Sequence, residues 1–410
     1  MITATKANIV GTENFTTGPV ALTTKRITSI DLLRGIVMII MALDHTRDFF
    51  HYNALLPEDP LDFATTSTVL FLTRWITHFC APVFVFLSGT GIFLYGSKGK
   101  SKRQVSFFLL TRGLWLIFAE IFIITLLWDF NFTFIGLQVI WAIGLSMVIM
   151  SALIFLPYYI LLAIGLLIIC LHNILDPIKM DGNDVPSFLW AVVHQAHIFD
   201  INSSLKLGLM YPFLSWLGLM ITGYCLGKLY LPETDKSFRK KFLLYTGLTL
   251  IGMFILLRLS NVYGDMHLWS QQKTTVFTIL DFVNTTKYPP SLLYVLMTIG
   301  PGLVFLALFE NVSTTISKKI LVFGKVPFFY YILHVFLIHA LSWLLFFITG
   351  HSWSDLDFTH FKNGSLPYGS GYDLWVVYVA WMVVIVILYF PCRWYSKYKA
   401  THQQWWLSYL

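Results

Sequence analysis

The densest chemistry in the chain lies between positions 44 and 51. Asp44-His45-Thr46-Arg47-Asp48-Phe49-Phe50-His51 packs two carboxylates, two imidazoles and a guanidinium into a short stretch that closes an apolar segment. Asp44 with Arg47, His45 with Asp48, and Arg47 with His51 are three or four residues apart, so each pair shares a helix face. Histidine changes charge near neutrality, and carboxylates can hold an amine or sugar hydroxyls. The pattern is that of an acid-base site facing a polar acceptor.

The same segment opens on Arg26-Ile-Thr-Ser29-Ile-Asp31-Leu-Leu-Arg34-Gly35, with Asp31 and Arg34 again sharing a face. From Arg34 to His45 is roughly 16 Å of helix rise, which sets the two charged ends near opposite boundaries of a ~30 Å hydrocarbon core. One helix therefore presents an inner cationic site and an outer acid-base site. The alternative is boundary charges that snorkel, with an ion pair that fixes the helix rotation.

Further polar residues interrupt other apolar segments. Arg74 and His78 are four apart, just before Ala81-Pro82, where a kink is expected. Arg112 lies inside a third segment without a charge partner four residues away. His334 and His339 are expected to hydrogen-bond across helices, and Glu120 and Gln138 to serve structure. Pro186 to Val193 reads as a helix lying at an interface, and Asp281 to Pro290, with Lys287, as a cap over the outer site.

The elements that must position these residues are membrane helices. Hydrophobic residues make up 57% of the 410 positions and charged residues 12%, well below the ~25% usual in soluble proteins. Runs near 20 apolar residues give spans at Ile30 to Phe50, Thr68 to Tyr95, Val105 to Trp128, Phe132 to Leu156, Tyr158 to Leu175, Leu207 to Gly227, Phe242 to Leu259, Ser291 to Phe309, Pro327 to Gly350 and Leu374 to Pro391. Strand alternation is absent, so the fold class is all-α: a polytopic transmembrane bundle of about ten spans. With the N-terminus inside, the cytoplasmic segments hold eighteen Lys and Arg and the outer loops five, which fixes both termini on the cytoplasmic side. The net charge of +7 thus reflects topology and not nucleic-acid binding. Residues 1–25 read as a loose polar tail, 26–392 as one membrane domain and 393–410 as an interfacial tail. The four cysteines fall in or beside apolar segments, so disulfides are not expected. No Cys-x-x-Cys, His-Glu-x-x-His or phosphate-binding glycine loop is present, so neither a metal nor a nucleotide cofactor is implied by spacing. With no second copy of the Asp31 to Gly35 opening, an enzyme is favoured over the alternative, a secondary transporter or lipid flippase.

The opening Arg26-x-x-Ser-Ile-Asp31-x-Leu-Arg34-Gly35, then Asp44-His45-x-Arg47, Ala81-Pro82-Val-Phe-Val-Phe-Leu-Ser88-Gly89, Leu137-Gln138-Val-Ile-Trp-Ala-Ile-Gly144, Tyr211-Pro212-Phe-Leu-Ser-Trp216-Leu-Gly218, Thr286-Lys287-Tyr288-Pro289-Pro290-Ser291 and Gly324-Lys-Val-Pro327-Phe-Phe-Tyr330-Tyr-Ile-Leu-His334 resemble the bacterial DUF1624 membrane family. That family is related to the heparan-alpha-glucosaminide N-acetyltransferase catalytic domain. The resemblance implies a transmembrane acyltransferase of the bacterial inner membrane, embedded in lipid and able to form a homodimer. Acetyl passes from cytoplasmic acetyl-CoA to an amine or hydroxyl of an extracytoplasmic saccharide or glycan. On that reading Arg26, Arg34, Lys100, Arg103 and Arg112 hold the coenzyme A phosphates. His45 or His51 is the base, oriented by Asp44 or Asp48, in direct transfer or through an acyl-histidine. Arg47, Arg74, His78 and Lys287 bind the acceptor. The position matching the family's first-span asparagine is His45.

Overall fold

The computed structural model describes residues 27–52, 60–358, 365–367 and 370–409. Its helices are α1 (Thr28–Phe50), α2 (Thr68–Thr77), α3 (Cys80–Gly96), α4 (Lys102–Phe118), α5 (Thr125–Asp129), α6 (Val139–Leu153), α7 (Tyr158–Leu171), α8 (Val185–Val193), α9 (Phe213–Leu226), α10 (Lys236–Ser260), α11 (Thr275–Val283), α12 (Leu292–Leu308), α13 (Thr315–Lys325), α14 (Pro327–Ile348) and α15 (Leu374–Thr401). Among the described residues, six helical runs are long and apolar enough to cross a membrane: Thr68–Gly96, Lys102–Asp129, Tyr158–Leu175, Lys236–Ser260, Pro327–Ile348 and Leu374–Thr401. The chain is an integral membrane protein. α6 and α12 are shorter apolar helices, and α1 combines 23 residues with charges at both ends.

Two expected spans begin differently. The strands β1 (Phe134–Leu137), β2 (His197–Asn202) and β3 (Leu205–Leu209) form a sheet in the order β1-β3-β2, parallel between β1 and β3 and antiparallel between β2 and β3. The sheet takes the first residues of the runs read as Phe132 to Leu156 and Leu207 to Gly227, so the fold is mostly, not wholly, helical. Such runs are too short for periodicity to separate strand from helix. Their strand partners are also about 70 positions apart, which no local pattern reports. α15 runs unbroken through Pro391 to Thr401, so the boundary expected at 392–393 falls inside a helix.

Close helix crossings organise the bundle, and one of them is built twice. A Cβ on Gly113 of α4 would stand 2.6 Å from the Gly144 carbonyl oxygen of α6, and one on Gly247 of α10 would stand 2.7 Å from the Gly300 carbonyl oxygen of α12. Four residues beyond the glycines come Ile117 and Val148 in the first pair, Ile251 and Val304 in the second. Small residues let helix backbones touch in a medium that offers no hydrophobic drive for association.

The break between α2 and α3 sets up the site. Pro82 has no N–H to give to the carbonyl of His78, four residues back. The Tyr294 hydroxyl of α12 donates to that carbonyl instead, at 2.7 Å. The kink is thereby locked, with His78 at the bend.

Candidate active site

The C-terminal half of α1, the end of α2, the loop before α12 and the middle of α14 converge on one buried polar cluster. Asp44 is its hub. One Arg74 guanidinium nitrogen donates to both Asp44 oxygens at 2.9 and 2.7 Å, and Arg47 pairs with the same carboxylate at 3.0 Å. Arg47 also pairs with Asp48 at 2.5 Å. Lys287 is buried beside them, 5.1 Å from the Tyr288 ring centre and 6.0 Å from that of Tyr211. Three basic side chains thus face two carboxylates in a buried cluster, where charges interact more strongly than in water. The Tyr288 hydroxyl is the hydrogen-bonding neighbour of Arg74, Lys287 and Tyr211. Burial opposes ionisation of this phenol, but Lys287 and Arg74 outweigh burial and hold it below its ordinary value, which makes it a stronger donor.

His45 points into a second, directional chain. Its Nδ1 is 2.7 Å from His334 Nε2, and His334 Nδ1 is 3.0 Å from the Tyr330 carbonyl oxygen. A carbonyl only accepts, so a neutral His334 carries its proton on Nδ1 and offers a lone pair at Nε2. His45 must then donate from Nδ1, which leaves its Nε2 as the basic nitrogen. The Trp128 and Tyr331 rings wall His45 at 4.9 and 6.0 Å. The sequence reading assigned ring orientation to Asp44 or Asp48. The structure assigns it to His334, because the guanidinium groups hold both carboxylates.

Some groups in the cluster are buried without partners. Neither ring nitrogen of His78 has a hydrogen bond among the described residues, and neither do Nε and Nη1 of Arg47. These residues are only 1% and 3% exposed. Unpaired buried donors are costly, about 1–3 kcal/mol each, so each calls for a partner.

His51 is buried at the end of α1. It closes α1, stacks on Tyr52 at 4.6 Å and pairs with Tyr372 through the backbone. Arg26 lies outside the described residues. At the opposite end of α1, Arg34 is held by Asp31 at 2.9 Å and reaches the Gly324 carbonyl at 3.4 Å. Arg112 is within Coulombic range of Arg34 and of Tyr409, and lies over Phe108 at 5.9 Å. Lys100 covers the Tyr95 ring at 4.9 Å, and Arg103 is exposed at the start of α4. Arg34 and Arg112 are thus brought together, while the loop cations stay on the surface.

Asp44, His45, Arg47, Asp48, Arg74, His78 and Lys287, singled out from the sequence, lie together in one buried cluster. The sequence reading missed Tyr288 and the role of His334, although the Lys287-Tyr288-Pro289-Pro290 run and the expectation of a cross-helix bond from His334 were the available signals. His339, similarly expected, bonds the Leu127 carbonyl at 2.9 Å. Glu120 is structural: its carboxylate accepts from the backbone N–H groups of Gln138 and Trp141 at 3.2 and 3.0 Å, capping α6 from a neighbouring helix.

No curated protein matches the chain. Residues 26–258, from the start of α1 to the end of α10, match the family described as heparan-alpha-glucosaminide N-acetyltransferase, catalytic. Lys287 and His334 are supplied from beyond that segment. With more than half its length matched and a buried acid-base cluster where α1 ends, the chain belongs to this family of transmembrane acyltransferases.

Proposed function

We propose that this protein moves an acetyl group from cytoplasmic acetyl-CoA to an amine or hydroxyl of an extracytoplasmic saccharide, with His45 as general base. The observation that carries this reading is the Tyr330–His334–His45 chain, which leaves a lone pair on His45 Nε2 in the cluster that also holds the unpaired nitrogens of Arg47 and His78. His45 takes the proton of the acceptor as its oxygen or nitrogen attacks the thioester carbonyl. The imidazolium formed keeps its Nδ1–H on His334. Arg47, Lys287 and Tyr288 supply donors to the oxygen on which negative charge develops. When the carbon–sulfur bond breaks, His45 returns the proton to the departing thiolate, and the acyl group stays on the acceptor. His78, with both nitrogens free, suits a sugar hydroxyl.

Arg34 and Arg112 would hold the phosphates of the donor at the inner end of α1, with Lys100 and Arg103 drawing it in from the surface. The roughly 16 Å of helix between Arg34 and His45 is then the path of the acyl arm. A ten-span arrangement with both termini inside, in a bacterial inner membrane, fits this direction. The nearness of Arg112 to both Arg34 and the C-terminal Tyr409 supports a shared basic end.

The test is the melting temperature of the detergent-purified protein with acetyl-CoA, followed by transfer of labelled acetyl to amino sugars. A shift of the melting temperature that shrinks in Arg34→Ala, with transfer lost in His45→Ala, is expected. Absence of any shift at saturating donor would instead favour a transporter.

A further inference from the structure

His172, Asp176 and His194 stand together outside the site described above, where the residues that follow α7 and α8 meet near the start of α12. His172 opens the short helical turn that follows α7, Asp176 closes that turn, and His194 follows α8. One potential ligand atom from each lies within 4.8 Å of the other two. All three side chains are buried, at 3%, 7% and 2% exposure.

An ion pair accounts for only part of this arrangement. His194 Nε2 lies 2.8 Å from Asp176 Oδ1, which explains those two atoms. Neither ring nitrogen of His172 has a hydrogen bond among the described residues, and His194 Nδ1 is likewise buried and unpaired. The His172 ring faces that of His194, centres 5.6 Å apart. A neutral imidazole always carries one donor and one acceptor, so His172 hides both from water with nothing to meet them. Around the trio is the kind of support that orients ligands. Asn173 Nδ2 donates to the second Asp176 oxygen at 2.7 Å, while Asn173 Oδ1 accepts from the backbone N–H of Leu292 at 2.9 Å. Partners of this kind fix a ligand's direction and raise its basicity.

We propose that His172, Asp176 and His194 bind a divalent transition-metal ion, best matched by Zn²⁺. Two imidazoles and one carboxylate suit zinc; calcium and magnesium prefer all-oxygen shells. Three protein ligands leave the fourth tetrahedral position to water. Binding replaces the hydrogen bond between His194 and Asp176, and the His194 ring keeps its single proton on the nitrogen that does not face the ion. The ion would tie α7 and α8, through Asn173, to the first residue of α12, five positions after Lys287. This site does not depend on the acyl-transfer reading.

Untagged full-length protein, purified in detergent and stripped with chelator, would be titrated with Co²⁺ and then Zn²⁺. One Co²⁺ per chain is expected, with a visible absorption band that Zn²⁺ abolishes and a melting temperature raised by Zn²⁺. His172→Gln should melt like the stripped wild type, since the ring has no hydrogen bond to lose, yet bind Co²⁺ at least ~100-fold more weakly. Asn173→Ala should weaken binding roughly 10- to 100-fold. Should His172→Gln fail to fold, Asp176→Asn replaces it in the same titration. No stoichiometric Co²⁺ on the wild type, or equal binding by wild type and ligand variant, would overturn the site.

Discussion

The carbonyl of Tyr330 can only accept, and that asymmetry passes through His334 to make one particular nitrogen of His45 basic. His45→Ala should therefore lower acetyl transfer by about 10²- to 10⁴-fold, the usual contribution of a positioned base, while donor binding measured by thermal shift is retained. Asp44 makes a different contribution. It is the common counter-charge of Arg74 and Arg47, so Asp44→Asn leaves buried guanidinium groups short of a partner. Loss of about 3–5 kcal/mol is expected, read as a fall in denaturation midpoint. At Asp281, burial opposes ionisation, but the hydrogen bonds from the Ser270 N–H, His267 and Gln272 outweigh it and hold the carboxyl below its usual value. Its stabilising effect is therefore complete above the unfolded value near ~4 and is lost as pH falls through the lower folded value. Melting profiles should show this acid limb flattened in Asp281→Asn.

Helices reach their contacts here through side chains small enough to vanish. The α4–α6 and α10–α12 crossings leave no room for a Cβ at Gly113 or Gly247, so leucine at either position should destabilise by at least ~1–3 kcal/mol through overpacking. Gly252, on α10 but with open space where its Cβ would lie, provides the control: Gly252→Ala should be neutral or stabilising. Melting temperatures of the three variants check both expectations. The loop after α10 shows the complementary strategy. The Arg258 guanidinium is 1% exposed and donates to the backbone carbonyls of Phe282, His267, Asp281 and Asn284. It thus anchors the segment that ends in Lys287 and Tyr288. Lysine offers a point charge and no planar fork, so it could not replace this arginine.

On the scale of the molecule, the proposed topology puts Lys241 inside and Lys273 outside. In a variant lacking the four native cysteines, Lys273→Cys should react with a membrane-impermeant maleimide on intact cells, and Lys241→Cys only after the membrane is opened. The reverse pattern would invert the direction of transfer. The two ends of α1 make that direction matter, because the Arg34–Arg112 end and the Asp44–His45 end are chemically distinct and joined by one continuous helix.

Composition and charge bias were sufficient to read a helical membrane protein, because lipid admits few backbone arrangements and hydropathy reports burial in lipid directly. Tyr158–Leu175 and Pro327–Ile348 lie where apolar run length predicts them. The residues of the α1 cluster were legible for a related reason: charge within an apolar run is costly enough to draw notice at once. Partnership was not legible. His45 and His334 are 289 positions apart, β1 and β3 about 70, and His194 meets Asp176 across α8. No periodic pattern encodes such meetings. Only packing decided that arginines would hold the carboxylates, that a second histidine would orient the first, and that His172 would be buried with nothing to bond.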